Sequence, residues 1–128
     1  MNFATRFYVD IEEQYVVQYL THVRIWRILV RSKMKIADWR VAEGFARKYA
    51  QARPRLRNWR KHVHDAIWKE PIDVMKTFNN ASHIPSKGVW VFNIGSDRLI
   101  AVVDFALELV LIRQLMTHNE YMKWSNKK

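Results

Sequence analysis

Near the carboxy terminus Arg113 is followed by His118 and Tyr121, and these are the side-chain types that a metal-free cleavage of RNA needs. A base must take the proton of the ribose 2′-hydroxyl, cations must offset the charge gathering on a pentacoordinate phosphorus, and an acid must supply the leaving 5′-oxygen. Arg98 and Lys87 add cations upstream. The same residues also fit a plainer arrangement, a capping turn with a surface histidine and a core-packed tyrosine. Spacing alone leaves both open.

A second constellation lies in the first half of the chain. Arg47, Lys48, Arg53, Arg55, Arg57, Arg60 and Lys61 follow one another with no acidic residue between them and with Trp59 in their midst. Such a run suits contact with a phosphate backbone. An isolated basic helix can also be a solvated face, but seven unbalanced charges repel one another unless something anionic is met. Other chemistry is poorly supplied. His62 and His64 are two apart on an expected helix and point to different faces, so no metal site is expected, nor any cofactor. Asp97 and Asp104 lack a carboxylate partner at usable spacing in the sequence. No glycine-rich phosphate loop and no Gly-x-Ser-x-Gly elbow is present.

The elements that must position these groups can be read from periodicity. Tyr8, Ile11, Tyr15, Val16, Tyr19, Val23 and Trp26 recur at three- and four-residue steps, so residues 8–30 read as an amphipathic helix. The segment 1–33 forms its own block, and Met34, followed by strand-like residues, is an alternative start for the protein. Asp38 is placed to cap a helix over 39–51, through Trp39, Ala42, Ala46 and Tyr49. Pro54 opens the next, with Leu56, Trp59, Val63 and Ile67 on one face. A short helical turn follows at Ile72 to Met75, and Asn79 to Gly88 read as a loop.

From Val89 the texture turns β-branched and aromatic. Val89 to Ile94, Arg98 to Phe105 and Glu108 to Met116 read as a three-stranded antiparallel meander. With a hairpin turning at Ala106-Leu107, Arg98 would oppose Leu115 and Ile100 would oppose Arg113, making the two arginines diagonal neighbours on one face. Thr117 and Glu120 have capping-box spacing, so a last helix should run from His118 through Trp124, with His118 and Tyr121 on a common face.

Composition narrows the partners. The chain has 128 residues with 49% hydrophobic, enough for one packed domain. Its formal charge is +10, which favours a polyanionic partner. Without cysteine there is neither a disulfide framework nor a thiolate site, and a reducing cytoplasm fits. Charged residues interrupt every apolar stretch before it reaches the length of a membrane span, and Asp10, Glu12 and Glu13 spoil a signal peptide. No membrane partner is expected.

With these residues in view, Gly88-Val-Trp-Val-Phe-Asn-Ile-Gly-Ser-Asp-Arg-Leu-Ile and Ile112-Arg113 through Thr117-His118-Asn119-Glu120-Tyr121 resemble the HigB (host inhibition of growth) family of bacterial toxins. The likeness extends over about 34–124, with no counterpart for the first 33 residues. It implies an α+β fold of the RelE/ParE type: two N-terminal helices on a three- to four-stranded antiparallel sheet with a short C-terminal helix, one sheet face left for RNA. The domain would then be 34–128, preceded by an extra helical segment. It also implies an endoribonuclease (mRNA interferase) that cuts mRNA on the ribosome and inhibits translation, neutralised by a HigA-type helix-turn-helix antitoxin. Arg98, Arg113, His118 and Tyr121 match the family's site. Lys87 matches a basic residue ahead of the first meander strand only loosely, and Arg53, Arg55, Arg57, Arg60 and Lys61 would bind RNA. The alternative is a non-catalytic nucleic-acid-binding protein or gyrase inhibitor, because one branch of this fold cuts nothing.

Overall fold

Strands β1 (Lys35–Ala37), β2 (Ser82–Ile84), β3 (Val89–Ile94), β4 (Asp97–Asp104) and β5 (Leu109–Met116) form one sheet in the order β1-β5-β4-β3-β2. The computed structural model describes residues 33–126; the helix expected over 8–30 lies outside them. Four α-helices accompany the sheet: α1 (Trp39–Lys48), α2 (Arg53–Asp65), α3 (Pro71–Thr77) and α4 (His118–Ser125), with a 3-10 turn at Ala50–Ala52 leading into α2.

The meander β3-β4-β5 appears within a residue or so of the expected bounds. The sheet is larger than expected and mixed. β1 pairs parallel with β5, Ile36 opposite Val110, and β2 pairs antiparallel with β3, His83 opposite Trp90. Three residues of the segment read as a loop are therefore an edge strand. The strand character of Lys35 to Ala37 is expected, but its parallel pairing with β5 rests on a partner distant in sequence, and β2 is a ladder too short to leave a periodicity.

On one face, here called the helix face, Leu99, Ala101, Val110 and Ile112 meet Ala42, Ala46, Leu56, Trp59 and Val63. α1 packs against β5, and α2 against β1 and β3. Trp59, Trp68, Phe78 and Phe92 stack and tilt against one another at centroid distances of 5.4–6.4 Å. Large side chains buried in this way contribute roughly 1.5–3 kcal/mol each. Trp68 also donates its indole N–H to Thr77 Oγ1 at 2.9 Å, whereas Trp59 Nε1 is buried without a partner among the described residues.

The opposite, far face is not left bare. Val89, Val91, Ile100 and Met116 are buried there beneath Tyr121 and Trp124 of α4. An expectation of one free face for RNA gives way to a face partly closed by the terminal helix, since four apolar residues at alternate strand positions must be covered. Asp38 does stand at the N-cap of α1, but in the left-handed conformation (φ 62°) and without a side-chain bond to the helix amides. Its carboxylate lies 3.8 Å from Arg40 instead. No described helix is long and apolar enough to cross a membrane.

Candidate functional site

The β4–β5 hairpin decides where the arginines go. Asp104 Oδ1 accepts from the Leu107 amide at 2.9 Å, and Glu108 takes a left-handed conformation (φ 56°), so the chain reverses where expected. Pairing then runs as anticipated from Asp104↔Leu109 to Ala101↔Ile112. Beyond it the register slips by one: Ile100 opposes Gln114, Leu99 opposes Leu115 and Arg98 opposes Met116. The expected pairs Arg98–Leu115 and Ile100–Arg113 do not form, because a β-bulge leaves Arg113 as the extra residue. Alternation counted from Ile112 puts Arg113 on the far face, and counted back from Met116 it puts Gln114 there too. Arg98 and Arg113 thus keep a common face, but Arg113 lies three residues from Arg98's partner rather than two.

α4 begins where β5 ends. Thr117 Oγ1 accepts from the Glu120 amide at 3.3 Å and Glu120 Oε1 accepts from the Thr117 amide at 2.8 Å, the reciprocal bonds of a capping box. His118 is the first residue of the helix and is exposed, as is Arg113. Tyr121, one turn on, packs against the far-face cluster. Arg98 is held from below by its own turn, Nη1 donating to the Gly95 carbonyl at 3.2 Å and the Asp97 carbonyl at 2.9 Å. Its guanidinium lies 5.6 Å over the Tyr121 ring. Trp124 stacks beside Tyr121 with centroids 5.8 Å apart, and Lys87 Nζ lies 5.1 Å over the Trp124 ring. Lys87, Arg98 and Tyr121 are therefore joined in one row through Trp124. His118 opens α4 two residues after Met116, the residue opposite Arg98, and Arg113 lies on β5 three residues before Met116.

Three residues near this row have surroundings that the sequence does not indicate. Asp97 does have a carboxylate neighbour in space, contrary to expectation. Burial pushes its carboxyl above the ordinary aspartate range and Glu120 adds to the rise, while Arg55 and Arg98 pull it back. The signal was present in the true register, because pairing Arg98 with Met116 sets Asp97 beside the Thr117-Glu120 cap. Arg55 crosses the β3–β4 turn so closely that a Cβ on Gly95 would stand 2.8 Å from its Cδ and Nε. Gly95 is also at φ +64°, so a side chain there would be strained in any case. Trp124, which the sequence marks only as the end of the expected helix, packs on the far-face cluster.

The basic run does not form one patch. Successive helical residues turn by about 100°, so Arg53, Arg57 and Arg60 share a side of α2. They line, with Trp39 and Glu43 of α1, a cavity of about 210 Å³. Arg60 lies 4.6 Å over the Trp39 ring. Arg55 is on the other side, at the Gly95 turn, and Lys61 is exposed between them. Trp59 is only 2% exposed and belongs to the core. Among the described residues no three His, Asp or Glu side chains gather as a metal site would require.

A family model described as HigB_toxin, RelE-like toxic component of a toxin-antitoxin system, matches residues 52–124. That stretch runs from the start of α2 into α4 and contains every candidate site residue from Arg53 to Tyr121. No curated protein matches the chain.

Proposed function

The chain belongs to the HigB family of RelE-like toxins, toxic components of toxin-antitoxin systems, and from that premise we propose that it is a metal-independent endoribonuclease that cuts messenger RNA on the translating ribosome. In this reaction the ribose 2′-oxygen attacks the adjacent phosphorus. The P–O5′ bond breaks, and the products are a 2′,3′-cyclic phosphate and a 5′-hydroxyl. His118 moves the proton, as base toward the 2′-hydroxyl or as acid toward the 5′-oxygen. Arg98 and Arg113 offset the charge on the pentacoordinate phosphorus, and Tyr121 orients the nucleotide. The substrate's own hydroxyl is the nucleophile, so the step has no need of a metal-bound water.

The observation that carries this reading is the placement of Arg98. Two backbone carbonyls and an aromatic ring hold its guanidinium at the edge where α4 opens with His118. A cation fixed before substrate arrives stabilises developing charge without reorganising. The partners in this reading are the ribosome with its message and a HigA-type helix-turn-helix antitoxin, all in the cytoplasm. A translation extract programmed with a defined message, mapped by primer extension, tests it. New 5′ ends within the reading frame are expected on adding the purified protein, and their loss on adding the antitoxin. A message left intact in the extract by a protein that arrests growth when expressed would instead assign it to the non-cleaving members of this fold.

A further inference from the structure

The row beside the site continues past the residues that the reaction uses. Trp124 follows Tyr121 by one helical turn, is half-buried against the far-face cluster, and carries Lys87 Nζ 5.1 Å over its ring. Lys87 is exposed, on a β2–β3 turn set by two backbone bonds, Lys87 N to Ile84 O and Gly88 N to Pro85 O, both 3.1 Å. Gly88 at φ +66° closes that turn. A solvent-exposed cation is thus delivered to an aromatic face from a defined backbone, one ring further from Arg98 than Tyr121.

We propose that Trp124 and Lys87 form a nucleotide subsite next to the scissile phosphate, the indole stacking on an unpaired RNA base and the ammonium holding that nucleotide's phosphate. The inference rests on the reading of the protein as an RNA-cleaving toxin and adds to it a binding position. Relative strengths favour exchange. An exposed cation–aromatic contact is worth about 2- to 5-fold in an equilibrium, whereas one base stacked on an aromatic side chain is worth about 5- to 150-fold. An arriving base therefore displaces Lys87 from the ring, and the released ammonium meets the phosphate that the base brings with it. Tyr121 yields its ring less readily, since the cation over it, Arg98, is also held by the Gly95 and Asp97 carbonyls.

The experiment uses the full chain carrying His118→Ala, so that binding is read without cleavage, and a fluorescein-labelled single-stranded RNA nonamer as probe. Adding Trp124→Leu, which keeps apolar contact with the cluster but removes the π-face, should weaken binding about 10-fold. Trp124→Phe should recover most of it. Lys87→Ala should lower the slope of log K against log salt by about 0.7, the contribution of one contact to a single strand. An unchanged Kd in a Trp124→Leu protein that melts at the parent temperature overturns the subsite. If Trp124→Leu melts early, the Lys87→Ala slope decides, and no change in it overturns the proposal. A His118→Ala parent that binds RNA while these variants do so equally well sinks only the subsite. A parent that does not bind the nonamer overturns the subsite, while the ribonuclease reading is judged separately, by cleavage of ribosome-bound message in the translation extract.

Discussion

The guanidinium of Arg98 on β4 lies 5.6 Å over the ring of Tyr121 on α4, held there by the carbonyls of Gly95 and Asp97. Strand, turn and terminal helix are tied at a single point by this contact. It exists because the bulge at Arg113 sets Arg98 opposite Met116, the last residue of β5, so that the helix starting two residues later passes over it.

His118→Ala and Arg113→Ala should each lower cleavage by about 100-fold or more, the usual cost of losing a proton-transfer group or one charge-stabilising cation. Both side chains are exposed, so melting temperatures should stay within about 2 °C of the parent. Primer extension on ribosome-bound message, paired with thermal melts, checks both. A His118→Ala protein that cuts at the parent rate would make the histidine a surface residue only.

Because the basic run divides, its members should behave differently. Arg57→Ala with Lys61→Ala should weaken RNA or ribosome binding and reduce the salt slope by about one per charge removed, leaving the cleavage rate at saturation unchanged. Arg55→Ala, which empties the space over the Gly95 turn, should lower that saturated rate as well. Equal effects from the two sides of α2 would contradict the division.

Two buried tryptophans offer a matched comparison. Trp68→Phe takes away the indole N–H that Thr77 Oγ1 accepts at 2.9 Å and leaves that oxygen only its bond to the Asp73 carbonyl, whereas Trp59→Phe removes a buried donor that has no partner among the described residues. Trp59→Phe should therefore cost less stability, by roughly 1–3 kcal/mol. Denaturant unfolding of the two variants reads the difference directly.

Asp97 should make stability depend on pH in the direction opposite to a salt-bridged aspartate. Burial raises its carboxyl in the folded state, so its favourable contribution is complete below the ordinary aspartate pKa of about 3.9 and is lost as pH rises through the raised value. Asp97→Asn should accordingly raise the melting temperature at pH 7, by about 1–3 °C for a group only partly withdrawn from water. The gain should vanish near pH 3.5. A parent that is the more stable at pH 7 would show that Arg55 and Arg98 outweigh burial.

A chain beginning at Met34 should remain folded and toxic. Met34 is 1% exposed and its amide donates to the Ala66 carbonyl at 3.2 Å, a bond that a terminal ammonium can still make. Growth arrest on induction, with a cooperative melt, is the expected result. Loss of both would place part of the core before residue 34.

Much of this protein was legible locally. The capping box at Thr117 and Glu120, the helix behind Pro54, which ends at Asp65 short of the expected Ile67, and the three meander strands each follow from residues within a few positions of one another. Backbone preference and side-chain alternation act over that same range. Register was not legible, for a physical reason: Leu115 and Met116 are both apolar and both faces of the sheet bury apolar residues, so either parity of β5 satisfies the pattern. Only the assembled sheet chose the bulge at Arg113. Tertiary packing likewise decided the parallel pairing of β1, the short edge strand β2, the closure of the far face by α4, and the meeting of Arg55, Asp97 and Glu120. Each depends on contacts between segments whose sequences carry no record of one another, and whose association is selected by the burial of the whole.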